Sequence, residues 1–258
     1  MGRKEWEKGK WAGKAPRLLS ALLALAVWQV GALLLNQPIL LAPPGEVLAR
    51  LVALCFTGGF WLAVGFSFTR ILTGFFAALL IGTVLGIAGS RLPLIDILLW
   101  PYIAAIKSAP VASFIILCLI WLSAANLSIF IAFLMVLPVI YNNVRQGILG
   151  TDPQLLEMAA VFRLGFGRRL LFIYLPQLKP YVVSACGAAL GMSWKAGVAA
   201  EVIGIPTGSI GERLYEAKVH LLIPDLFAWT AVVILASVLF EKLLLAALRK
   251  AYDRLEKI

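Results

Sequence analysis

The side chains able to do chemistry in these 258 residues are few and widely spaced: 13 carboxylates, 23 lysines and arginines, one histidine and three cysteines. A single histidine, His220, cannot build a His-based metal site or a catalytic triad. Cys55, Cys118 and Cys186 form no CxxC pair, and an odd number cannot be fully paired within the chain. They read as small apolar fillers. No GxxxxGK[ST] phosphate loop is present. Neither catalytic residues nor a bound metal is expected. What remains is a small set of charges inside or beside oily runs. Ionisable groups inside a span are costly and generally face a protein interior or a cavity. Lys107 sits near a span end, where it can snorkel or join a pathway or interface. Lys195 lies deeper, six residues before Glu201 and off its helical face. A positive group at that depth suits an anionic solute or an internal salt bridge.

The elements that must position these groups follow from composition. The chain is 62% hydrophobic and 14% charged, with mean hydropathy +0.94. A soluble domain is about 45–50% apolar and about 25% charged. Soluble enzymes, collagen, disulfide scaffolds and disordered chains are thereby excluded. A helix crossing a bilayer needs roughly 20 apolar residues. Six such runs are expected: 18–35, about 64–88, about 97–122 with an interruption at Lys107-Ser-Ala-Pro110, about 127–141 with a kink at Pro138, about 180–200, and about 224–248. Small residues at Gly74, Gly82 and Gly86 would let the second span approach a neighbour closely. Glu46 to Phe56 reads as a short amphipathic helix, and 201–223 as a mixed loop whose glycine-rich part, Gly204 to Gly211, suits an outer gate or docking loop. The first run is too long for a signal-peptide core and is followed by Asn36-Gln37-Pro38, so an uncleaved helix is expected.

The net charge of +10 would suggest nucleic acid in a soluble protein. Here the basic residues flank oily runs, and no nucleic-acid partner is expected. With six spans both termini lie on one side. Eighteen of the 23 basic residues then fall on that side, four (Arg50, Arg70, Arg213 and Lys218) fall on the other, and Lys195 lies within a span. This excess puts both termini in the cytoplasm. The expected organisation is a basic cytoplasmic arm over 1–17, a transmembrane domain over 18–248, and a basic cytoplasmic tail over 249–258.

The polar segment 142–179 then faces the cytoplasm. Asp152-Pro153 is a helix start, with Asp as N-cap and Pro in the first turn. Leu156, Ala159 and Ala160 share one face. Gly165 and Gly167 permit a turn, a second helix begins near Arg168, and Pro176 marks its junction with the next span. A short two-helix elbow over about 150–176 results, whose small alanines suit docking into a groove on another protein. Glu157 would contact that partner or hold the elbow's own backbone. Arg163, Arg168 and Arg169 could pair with acidic residues of the partner or be ordinary flanking charges.

This segment resembles the EAA motif of bacterial ABC importer permeases, E-A-A, three residues, G, nine residues, I-x-L-P. Glu157, Met158 and Ala159 take the first three positions, and Ile173, Leu175 and Pro176 the last. The family glycine falls at Arg163, whereas glycine stands here at Gly165. The resemblance extends through the chain to the nitrate/sulfonate/taurine/bicarbonate group. It includes Ala42-Pro-Pro-Gly-Glu-Val47, Ser67-Phe-Thr-Arg70, Lys107-Ser-Ala-Pro110 to Trp121, and Trp194 with Glu201.

The resemblance implies a type I ABC importer permease fold, all-α with about six transmembrane helices, in a bacterial inner membrane. It implies two ABC ATPase subunits that use ATP and Mg, a second permease subunit (a homodimer being favoured), an extracytoplasmic solute-binding protein, and surrounding membrane lipid. No cofactor is bound by the chain itself. The elbow residues Glu157, Ala159, Ala160, Arg163, Gly165, Ile173, Leu175 and Pro176 would couple to the ATPase. Lys107, Trp194, Lys195 and Glu201 would serve the translocation path of a small anion or sulfonate-like solute. The alternative is a gradient-driven secondary transporter, which would favour paired acids within spans and a visible repeat of the two halves.

Overall fold

The structure is a computed structural model that describes residues 14–37 and 39–255. Arg3, Lys4, Lys8 and Lys10 of the basic arm and Lys257 of the tail lie outside the described residues. The helices are α1 (Lys14–Leu35), α2 (Pro44–Cys55), α3 (Gly58–Arg91), α4 (Pro93–Ser108), α5 (Val111–Cys118), α6 (Ala124–Leu149), α7 (Pro153–Val161), α8 (Phe166–Arg169), α9 (Leu175–Gly204), α10 (Ile210–Val219) and α11 (Ile223–Leu255). A π-helical turn, Leu170–Tyr174, joins α8 to α9. No strand occurs among the described residues. In hydrocarbon every backbone N–H and C=O must be satisfied internally, which a helix does and an open strand cannot.

Five helical runs are long and apolar enough to cross a membrane: Leu18–Leu35, Gly58–Arg91, Ala124–Leu149, Phe166–Gly204 and Ile223–Arg254. The remaining expected run, about 97–122, falls on the pair Pro93–Ser108 and Val111–Cys118, which is bent by 106° as in a broken span or a re-entrant loop. The bend falls at Ala109-Pro110. Proline clashes with a helical conformation of the residue before it, and Ala109 is accordingly extended, at φ −79° and ψ 143°. Several spans outrun their expected ends. α6 continues to Leu149 because Asn142 and Asn143 turn their side-chain amides back onto the carbonyls of Pro138 and Val139, at 2.7 and 2.8 Å. The segment 201–223 is likewise not all loop, since it carries α10.

The centre of the bundle is α6, with α3 on one side and α9 on the other. Glycines set the spacing. A Cβ on Gly74 would lie 2.2 Å from the Ile129 carbonyl oxygen of α6, and one on Gly86 would lie 3.0 Å from both the Tyr141 carbonyl oxygen and Val144. Gly147 of α6 would meet Leu178 of α9 at 2.7 Å, and Gly197 of α9 would meet Ile71 of α3 at 2.6 Å. Membrane helices gain little by hiding apolar surface from equally apolar lipid, so backbone proximity and packing replace that force. Phe75, Ala78, Val136, Ile140, Ala189 and Leu190 fill the space between the three helices.

Polar clasps close the two ends. At the elbow end Asp96 of α4 accepts from the Tyr141 hydroxyl and from Arg145, both at 2.6 Å, and Arg91 lies over the Tyr174 ring at 5.2 Å. At the opposite end Arg50 of α2 makes a two-pronged pair with Asp225 of α11, its second contact at 2.9 Å. The hydrogen bonds to Asp225 hold the Arg50 guanidinium above the ordinary arginine value. Trp28 ties α1 to the rest by donating to the Ala42 carbonyl at 3.1 Å.

Two alanine substitutions separate packing from helix propensity. Gly74→Ala forces a Cβ into a backbone carbonyl and should cost about 1–3 kcal/mol, as overpacking does. Gly65→Ala meets nothing within 4 Å and should be neutral or stabilising by up to about 1 kcal/mol. Unfolding midpoints in detergent should fall for the first and hold or rise for the second.

Candidate functional site

The elbow is built by local rules. Asp152 caps α7 by accepting from the Gln154 N–H at 2.9 Å, with Pro153 in the first turn. At the other end of α7 the Leu164 N–H reaches back to the Ala159 carbonyl at 2.9 Å and the Arg163 N–H to the Ala160 carbonyl at 3.0 Å. This 6→1 and 5→2 pair is a Schellman motif, which needs its C′ residue in the left-handed region. That residue is Arg163, at φ 50°. The position where the family glycine is expected is therefore the one that physically demands it. Gly165 stands at φ −63° with open space around it, so it does not substitute for that glycine. Arg169 holds the turn by donating from Nε to the Leu164 carbonyl at 2.8 Å.

The second half of the elbow starts at Phe166 and does not stop at Pro176. It runs on as one continuous helical path to Gly204, passing through the π turn. Pro176 has no N–H to give and its ring would crowd a carbonyl one turn earlier. The wider turn, in which the Leu175 N–H bonds back to the Leu170 carbonyl, relieves that conflict.

The alanine face divides. Ala159 is buried, whereas Ala160 and Glu157 point outward. Beside them stand Met158, Val161, Phe162 and Phe166, the last three at least 71% exposed. Arg163 and Gly165 are exposed, Ile173 is buried, and Leu175 and Pro176 are half-buried.

Glu201 and Trp194 are buried inside the bundle, at 0% and 1% exposure. Glu201 Oε2 accepts from the Ser67 hydroxyl at 2.6 Å and from the Gly211 N–H at 3.3 Å, and the Ser67 oxygen accepts from the Ile210 N–H at 2.9 Å. Ser209 caps the same helix by accepting from the Glu212 N–H at 2.9 Å, and Glu212 accepts from the Gly208 N–H at 2.6 Å. The positive N-terminal end of α10 thus points at a buried carboxylate, a favourable arrangement for both. Gly211 is required there, because a Cβ would sit 2.2 Å from that of Glu201.

Lys195, next to Trp194 in the chain, faces the other way. It is exposed in a groove of about 320 Å³ lined by Val111, Met135, Met192, Ala196 and Ala199. It makes no ion pair among the described residues, so the salt-bridge alternative does not apply to it in this conformation. Lys107 is also exposed, at the end of α4, but does not line that groove. The structure brings Ser67, Glu201 and Gly211 together and leaves Lys107, Lys195 and the elbow as separate places. The Ser209-x-x-Glu212 cap and the glycine at 211 were the sequence signals for the buried cluster.

Residues 78–256 match the family described as the binding-protein-dependent transport system inner membrane component. The chain belongs to this family of permeases. Among its relatives is the taurine transport system permease protein TauC of Escherichia coli strain K12, 29% identical over 86% of this chain and 82% of the relative. The putative aliphatic sulfonates transport permease protein SsuC of Bacillus subtilis strain 168 is 26% identical over 84% of this chain and 77% of the relative. The bicarbonate transport system permease protein CmpB of Synechococcus elongatus is 26% identical over 66% and 61%. The chain is thus a multi-pass ABC transport permease of the nitrate/sulfonate/taurine/bicarbonate group, with the all-α fold of a type I importer. Such a permease is not an enzyme, and its family works with an ATPase and a solute-binding protein.

In this permease the elbow turn carries a correctable strain. Arg163→Gly removes the Cβ penalty of a left-handed residue, about 1–2 kcal/mol before the extra chain entropy of glycine is subtracted. Gly165→Ala meets no neighbour. Amide exchange at Leu164 should slow in the first variant and be unchanged in the second.

Proposed function

We propose that this permease pairs with a second copy of itself, forms the solute path of an ATP-driven importer, and couples to two separate ATPase subunits through the elbow. The observation that carries this reading is the outward apolar face of a segment unsuited to lipid. Met158, Val161 and Phe162 stand exposed around Glu157 and Ala160, on a nine-residue helix and its C-cap, far too brief to span a bilayer. A cluster of exposed large apolar side chains outside the spans marks a protein contact. ATP and Mg are bound by the partner, and closure of the two ATPases moves the elbows and the helices joined to them.

In this reading the elbow, both termini and the basic tail face the cytoplasm, as the excess of flanking basic residues supports. The opposite end, with α2, α10 and the cavity of about 500 Å³ bearing Arg50, Arg213, Glu216, His220 and Asp225, faces the solute-binding protein. Lys195 presents a positive charge in an apolar groove beside the bend between α4 and α5, which suits a small anion with an apolar part. The names of the relatives point the same way, toward a sulfonate-like or other small anionic solute. Lys107 lies on the approach to that bend. Trp194 and Glu201 are turned into the bundle, so their part is to hold α9 and thereby Lys195.

One co-purification and uptake experiment tests both places. Tagged permease expressed with its ATPase should leave the membrane as one complex. Ala160→Arg should abolish the association and the uptake while membrane insertion is retained. Lys195→Ala should keep the complex and lower uptake at least tenfold. Full association of the Ala160→Arg variant would refute the docking face, and unchanged uptake by Lys195→Ala would remove that residue from the path.

A further inference from the structure

Glu201 is the sole buried carboxylate or basic side chain among the described residues, and only one of its two oxygens is used. Oε2 serves Ser67 and Gly211, while Oε1 has no partner. The buried hydroxyl of Ser128 stands beside the same carboxyl but makes no hydrogen bond of good geometry. An orphaned carboxylate oxygen in an apolar interior is costly and calls for an explanation.

An opposite charge stands close enough to act on Glu201 without touching it. Arg70 lies three residues beyond Ser67 on α3, hence on a neighbouring part of the same face. Its guanidinium sits over the Phe66 ring at 4.2 Å, and its Nη1 is buried without a partner. Facing helices therefore carry a carboxylate and a guanidinium, each incompletely satisfied and not paired with the other.

The register between those helices gives the geometry of an alternative. Ser67 faces Glu201 and Ile71 faces Gly197, so α3 and α9 run antiparallel. Moving Glu201 from the level of Ser67 to that of Arg70 takes a slide of three residues, about 4.5 Å at 1.5 Å per residue. Arginine's length shortens the movement required. Ratchets of up to one helical turn are an established kind of switching movement between packed helices.

We propose that Glu201 is a two-position latch. In the arrangement seen here it caps α10 through Ser67 and Gly211; in the other it pairs with Arg70 and lets go of α10. Glu201 and Arg70 are thus positioning residues, and what they position is the helix that walls the charged cavity with Arg213, Glu216, Ala217 and His220. The drive for the exchange is already in the covalent structure. Phe166 at the elbow begins the helical path that ends at Gly204, three residues past Glu201. A pull on the elbow draws α9 along its axis and brings Glu201 toward the level of Arg70, and the latch converts that movement into release of α10 at the far end. This inference rests on the ATPase-coupling reading of the elbow.

The test uses the permease–ATPase complex in nanodiscs, with Cys55, Cys118 and Cys186 replaced by alanine and a reporter introduced as Ala217→Cys. Ala217 lies on α10 and is 3% exposed. The rate of labelling by a membrane-impermeant maleimide is measured without nucleotide and after trapping with ATP and vanadate. The latch predicts slow labelling at rest and a several-fold rise on trapping. Arg70→Gln should abolish the rise without altering the resting rate, and Arg70→Lys should restore it. Ser67→Ala should raise the resting rate. A purely structural Arg70 would not give this state-specific loss. An Arg70→Gln variant that labels like its parent in both states overturns the latch while leaving the coupling reading intact. A parent complex without vanadate-sensitive ATPase activity overturns the coupling reading, and the latch with it.

Discussion

Backbone-to-backbone contact of α6 with α3 and α9 is the constraint on which the rest of this permease depends. Lipid tails are as apolar as leucine, so no hydrophobic gain draws these helices together. Glycine supplies the alternative, admitting a carbonyl at Gly74 and side chains at Gly86 and Gly147 where a methyl would collide. The three helices then pack as one slab in the arrangement seen here. The elbow joins the end of α6 to the start of α9, so it is anchored in the slab at both sides. The bent α4–α5 pair and α11 pack around it.

That slab carries polar groups where they can be satisfied. Asp96 gathers the Tyr141 hydroxyl and the Arg145 guanidinium at the elbow end. Glu201 at the other end meets a hydroxyl from α3 and one N-terminal amide of α10, that of Gly211. A helix N-terminus is a positive end, so a buried acid can be held without a basic partner. Lys195 is the contrast. It stands one residue past buried Trp194, yet it opens to a groove, because successive residues of a helix point about 100° apart.

Much of this was legible in the residues. The apolar runs placed the five long spans and the bent α4–α5 pair, since hydropathy over about 20 residues is a long and redundant signal. Asp152-Pro153 announced the start of α7, and Gly74, Gly82 and Gly86 announced a close helix contact. Other features were hidden for physical reasons. Asn142 and Asn143 look like loop residues until their amides are seen bonding back to the preceding turn. Ala159 and Ala160 are adjacent, and a face drawn by spacing alone did not show that one is buried and the other exposed. Ser67 and Glu201 are 134 positions apart, and only the fold brings them together. The Arg163 departure was visible as a mismatch, but its meaning required the backbone angle.

The central claim is that energy enters this permease as ATP, through the elbow. It is tested most directly by uptake into proteoliposomes holding the permease, its ATPase and the solute-binding protein. The account predicts uptake that requires internal ATP, stops with vanadate, and continues when ionophores collapse every ion gradient. Uptake that persists without ATP and disappears with the ionophores would contradict it.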